Sequence, residues 1–167
     1  MPRCAVMAAL VLGSAYARDA AAQRLTPDVP ARSAAISVDA HVAGKSYHGS
    51  GGGACGHAEK ASIHDVSASL WTVEYSGHSG PLKQLSLTLW RPKDGSPDQL
   101  SLSLETSSGL HRILTGGIGN SGEASVTILP SGPGGRLETK GKERGGKPLQ
   151  ITIECPLFGD VEAAGSE

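Results

Sequence analysis

Two histidines and an aspartate, His41, His48 and Asp39, sit in a stretch of strict alternation, VDAHVAGKSYHG, interrupted only by a glycine turn. Imidazole nitrogen and carboxylate oxygen are donors that zinc and copper accept. With Gly44-Lys45 as a two-residue hairpin loop, glycine leading as a type II′ turn prefers, His41 stands directly opposite His48. Opposed residues have Cβ atoms about 4.5–5.5 Å apart, so both rings share the outward face, with Asp39 two residues along. This spacing makes a candidate seat for Zn²⁺ or Cu²⁺. A solvated polar face is the competing reading, and a slip of the loop separates the pair.

Cysteine supplies the second chemistry. Cys55 and Cys155 bracket most of the strand-like sequence, and Cys4 lies near the N-terminus. Arg3 gives that end one positive charge. Cys4 to Gly13 is almost wholly apolar, and small-residue cleavage sites follow at Ala15-Tyr16-Ala17 and Ala20-Ala21-Ala22. The order is that of a secretory signal peptide over residues 1–22, cut after Ala17 or Ala22. Its apolar run is too short to span a bilayer, so no transmembrane segment is expected after cleavage. Export predicts a periplasmic or secreted product in an oxidising compartment, where two cysteines allow one intramolecular pairing. A Cys55–Cys155 disulfide is expected, ahead of free thiols, a metal site or an intermolecular bridge.

Other chemistry fails on context. Gly51-Gly52-Gly53-Ala54-Cys55-Gly56 matches G-x-G-x-x-G in letters, but no helical pattern follows to carry a pyrophosphate. His57-Ala58 stands where a phosphate-binding loop needs Lys-Ser/Thr, so the glycines read as a flexible loop. No G-x-S-x-G nucleophile elbow occurs. No enzyme and no cofactor are therefore expected. Removing residues 1–22 takes away Arg3, Arg18 and Asp19 and moves the formal charge from -1 to about -2, which gives no field for nucleic acid. Asp39, Glu74 and Glu105 have outward parity and read as solvated. Thr139 to Pro148, TKGKERGGKP, carries four basic residues and one acid and reads as a solvated hairpin tip. Trp90 has outward parity too, and either marks a contact site for sugar or protein or faces a second sheet or covers an edge.

Short alternating segments along the chain would hold these residues. Gln23 to Ser33 is proline-containing and aperiodic, a flexible leader over 23–34. Ile36, Val38, Ala40 and Val42 then alternate with polar residues, and Ser46 to Ser50 returns. Trp71, Val73 and Tyr75 share a face, as do Leu85, Leu87 and Leu89, and Leu100, Leu102 and Leu104. Shorter candidates are His111–Thr115, Ala124–Leu129 and Arg136–Lys140. The last strand puts Leu149, Ile151, Ile153 and Cys155 inward. No window carries the 3.6-residue period of an amphipathic helix. Eight or nine short strands predict an all-β domain over 35–158, an antiparallel β-sandwich or flattened barrel with one disulfide, and a flexible tail over 159–167.

The early hairpin VDAHVAGKSYHGSG, the glycine run into a cysteine, and the closing GEASVTILPSGPGGRLETKGKERGG…LQITIECP resemble the mycobacterial 19 kDa lipoprotein antigen family. The chain departs from that family in lacking its lipid-attachment cysteine. The resemblance implies a surface or envelope β-protein without known catalysis and lends no site residues. The functional expectation is an exported, non-catalytic binding or envelope-associated module, its partner a protein, glycan or envelope component. The alternative is a metal-binding protein using His41, His48 and Asp39.

Overall fold

Wherever apolar and polar residues alternate, the chain forms strand. The computed structural model describes residues 35–63, 65–116 and 119–161, all within one compact unit. The expected signal peptide, the leader and residues 162–167 lie outside them. Ten strands follow in order: β1 (Ile36–Val42), β2 (Lys45–Ile63), β3 (Val66–Ser76), β4 (Leu82–Pro92), β5 (Gln99–Thr106), β6 (Gly109–Thr115), β7 (Gly122–Ser131), β8 (Gly134–Glu143), β9 (Pro148–Cys155) and β10 (Phe158–Asp160). There is no helix among the described residues.

Nine strands make one antiparallel sheet in the order β6-β5-β4-β3-β2-β1-β9-β8-β7. The sheet curls until its two end strands meet, so the flattened-barrel form of the expectation is the one adopted. Its interior consists of rows of directly paired side chains. Cys55, Val73, Leu87, Leu102 and Ile113 form one row. Val38, Ile153, Leu137 and Ile128 form another on the opposite wall. Both belong to a single core in which most leucines and isoleucines are inaccessible to water. Each such side chain contributes about 1.5–3 kcal/mol by burial.

The long strand β2 makes the curl possible. Its first part, Lys45 to Gly51, pairs with β1, while the part from Gly52 onward pairs with β3. The glycine run is therefore the corner of a strand, not the flexible loop expected. Gly49, Gly51 and Gly53 have the same inward parity as Tyr47 and Cys55, and the space where their side chains would stand is taken by Tyr75 and Ile36. A β-bulge at Glu59-Lys60, between Ala58 and Ala61, then adds one residue to β2. It brings Ala58 and Ala61 to one face, where they pack with Leu70, Trp90 and Val161 in a small outer cluster. Trp90 is thus covered rather than presented.

The disulfide joins Cys55 to Cys155 as expected, with Cα atoms 6.0 Å apart. Strand β1 begins opposite Gly51, so beyond that point nothing of β1 separates β2 from β9. The bridge spans that opening. The chain then turns, and β10 runs parallel to β2, Phe158 beside Cys55 and Asp160 beside His57. Ordered strand thus continues into the segment expected to be a flexible tail.

Where β6 and β7 meet, side chains replace a ladder. Ser121 donates its backbone N–H to the Leu114 carbonyl (3.0 Å) and accepts the Leu114 N–H on its hydroxyl (3.0 Å). Glu143, at the end of β8, accepts the Arg112 N–H (3.1 Å) and faces Nδ1 of His111 (3.2 Å). His111 and Glu143 are both largely buried. Glu143→Ala should therefore leave the Arg112 amide and the imidazole without this partner and lower stability by about 2 kcal/mol. Denaturant unfolding and hydrogen exchange at Arg112 check this; an unchanged midpoint with unchanged exchange would show that the seam does not depend on the carboxylate.

Candidate functional site

The metal seat does not form. The hairpin loop is Ala43-Gly44, both residues with positive φ (48° and 83°), which is a type I′ turn in place of the expected Gly44-Lys45. Its twist matches that of the strands, and the Ala43 N–H is anchored on the Pro148 carbonyl (2.9 Å). The register therefore pairs His41 with Ser46 and Asp39 with His48, leaving the two histidines on a diagonal. Each ring takes its own neighbour: His41 Nδ1 lies 2.9 Å from the Ser46 hydroxyl and His48 Nδ1 lies 2.6 Å from Asp39. Among the described residues no three His, Cys, Asp or Glu side chains are grouped to hold a metal ion.

The other outward carboxylates are similarly engaged. Glu74 accepts from the Ser86 hydroxyl (2.7 Å), and Glu105 pairs with Lys83 (3.4 Å). Local hydrogen bonding is visible in the acidity of Asp94 as well: the Ser96 N–H donated to its carboxylate (2.9 Å) lowers its pKa below the ordinary value. Tyr75, lying over the glycine corner, has its phenol pKa raised by burial.

A stacked group lies against the core. The imidazole of His57 lies on Trp71, ring centres 4.7 Å apart and 15° from parallel. The Arg91 guanidinium covers the same indole at 5.4 Å. Arg91 is held by a two-pronged contact with Asp98 (2.9 and 3.1 Å) and also donates to the Val126 carbonyl (3.1 Å). Its charge is neutralised and its Nε and Nη2 donors are engaged, so the group ties β2, β3, β4 and β7 together. Trp71 belongs to the edge of the core.

The outer face of β1, β9, β8 and β7 is different. His41 is paired with Gln150, Gln150 with Lys140, and Lys140 with Ser125, so these four exposed side chains form a row across four strands. At about 4.8 Å per strand the row is about 15 Å long. Lys142 lies between Pro148 and Glu123 in the next row, and the Ala43-Gly44 turn closes the end. Together they line an open groove of about 570 Å³.

Some surface cations are matched, Lys83 with Glu105, Arg91 with Asp98, Lys93 with Glu59, and Arg136 with Glu138 and Glu154, while Lys45, Lys60 and Arg112 stand singly without an ion pair among the described residues. Lys140 and Lys142 likewise have no ion pair among the described residues, but they stand together on adjacent rows of one face, and Glu143 beside them is engaged at the seam. The overall charge hides this positive spot. The lysines were visible in the sequence as part of a basic hairpin tip; their meeting with His41 and Gln150 was not, because it depends on β1 pairing with β9. Parity alone would have placed Lys140 and Lys142 on the outward face.

The fold and this face define a class: a nearly closed antiparallel barrel, tied by one disulfide, with an open groove on its outside that carries lysine, glutamine and serine side chains. Comparison of the chain with protein-family models, with curated proteins and with solved structures returns no match.

Proposed function

We propose that this chain is an exported, non-catalytic binding module, periplasmic or secreted, that presents the outer face of β1, β9, β8 and β7 to an envelope component or another extracytoplasmic partner. The contrast between the two sides of that sheet carries the reading. Inside, Val38, Ala40, Leu137, Ile151 and Ile153 are at most 1% exposed. Outside, His41, Gln150, Lys140 and Ser125 line an open groove with their polar groups turned to solvent. A filled core favours a ligand on the surface over one in the lumen.

Export is supported by the order of charge, apolar run and small residues at the N-terminus, and by a disulfide that suits an oxidising compartment. The non-catalytic part rests on the sequence, where nucleophile, dinucleotide and phosphate motifs lack the setting their chemistry requires. The resemblance to the 19 kDa lipoprotein antigen family points to the same compartment.

Site-specific photocrosslinking tests the binding face. A photoreactive residue at Gln150 should give adducts with extracytoplasmic material, while one at the exposed Lys60, on the β2 bulge, should not. No adduct from position 150, or equal labelling from both positions, would overturn the assignment.

A further inference from the structure

Resting on that reading of the binding face, we propose that the groove takes an acidic polysaccharide, a sugar chain carrying carboxylate groups. Lys140 and Lys142 supply two cations without a carboxylate partner among the described residues. Gln150 offers an amide with both donors and an acceptor, and Ser125 a hydroxyl, groups suited to sugar hydroxyls. Arg144 and Lys147, in the adjoining β8–β9 turn, extend the positive field, against the single groove carboxylate of Glu123. Ammonium groups bind as mobile point charges, which suits carboxylates spaced along a chain.

The geometry favours a glycan over other polyanions. The groove has no Phe, Tyr or Trp side chain, so a nucleic-acid strand finds no broad platform for its bases. It also crosses the faces of four strands that are paired to one another, so an acidic peptide cannot add to a free strand edge there. His41, at the far end of the row, keeps Nδ1 on Ser46 and leaves Nε2 free for a hydroxyl.

Titration calorimetry with the purified protein at low ionic strength decides the matter, using hexagalacturonate and its fully methyl-esterified counterpart as probes. The acidic hexamer should bind, the ester should bind at least tenfold more weakly, and affinity should fall as salt is added. The K140E/K142E pair should lose at least tenfold in affinity for the acidic hexamer, K140Q/K142Q should lose a smaller factor, and K60E should bind like the parent. The two lysines are exposed, and circular dichroism with thiol titration confirms that each variant keeps its fold and disulfide. Equal binding of acid and ester, undiminished binding by both lysine pairs, no binding, or tighter binding of a hexaglutamate would overturn the proposal. Groove adducts in the photocrosslinking experiment together with failure here would remove the ligand class and leave the binding face standing.

Discussion

Replacing Cys55 and Cys155 together by alanine is expected to lower the stability of the protein by about 4–5 kcal/mol. The bridge closes a separation of 100 residues, and on the chain-entropy account a loop of that length restricts the unfolded ensemble by about this amount. For a domain of this size the melting temperature should fall by roughly 10–20 °C. The structure adds a local consequence. The bridge spans the opening where β1 has ended, and β10 is laid along β2 immediately after it. Hydrogen exchange should therefore accelerate first at Phe158 and at Val161, whose N–H is donated to the His57 carbonyl (3.4 Å). Treating the parent with a reductant should reproduce both effects. An unfolding midpoint within 1–2 °C of the parent would show that β-pairing alone holds the corner.

A single methyl group should do nearly as much damage at Gly53. A Cβ there would collide with the Glu74 carbonyl oxygen on the paired strand and come within 2.7 Å of Ile36 Cδ1. The carbonyl is part of the β2–β3 ladder and cannot swing aside without breaking it. Gly53→Ala is expected to cost about 3 kcal/mol, the upper part of the range for overpacking a closed core. Gly52 is its neighbour and its control. A Cβ at Gly52 meets nothing within 4 Å, so Gly52→Ala should leave stability unchanged or raise it by about 0.5 kcal/mol through the less flexible unfolded chain. Denaturant unfolding of the two variants side by side makes the test. Equal effects would mean that the glycine run is a loop after all, indifferent to which of its members is enlarged.

These two results separate what was legible from what was not. Trp71, Val73 and Tyr75, or Leu100, Leu102 and Leu104, reveal their strand and its inward face because the pleat puts every second side chain on one side. The disulfide was legible by elimination, since only two cysteines lie in the strand-forming part of the sequence. The glycine corner was not. Glycine has no side chain to show a period, so the alternation running from Tyr47 through Gly49, Gly51 and Gly53 to Cys55 is invisible until Tyr75 and Ile36 are seen in the gaps.

The candidate sites divide the same way. The pairing of His41 with His48 depended on a loop one residue from the true one, and both loops keep the same residues inward. Burial could not choose between them. The twist of the turn and the anchor of Ala43 on Pro148 did, and the second of these comes from a residue more than a hundred positions away. The groove is non-local for the same reason, since His41 and Lys140 meet only because β9 lies between β1 and β8.

By itself, then, the sequence determined the strand class, the inward faces and the covalent link, because each is encoded in a period of two or in a residue type. The tertiary structure decided the turn register, the corner, the bulge and the groove. Those follow from which strands become neighbours, a choice made by the packing of the whole sheet and not by any one segment of it.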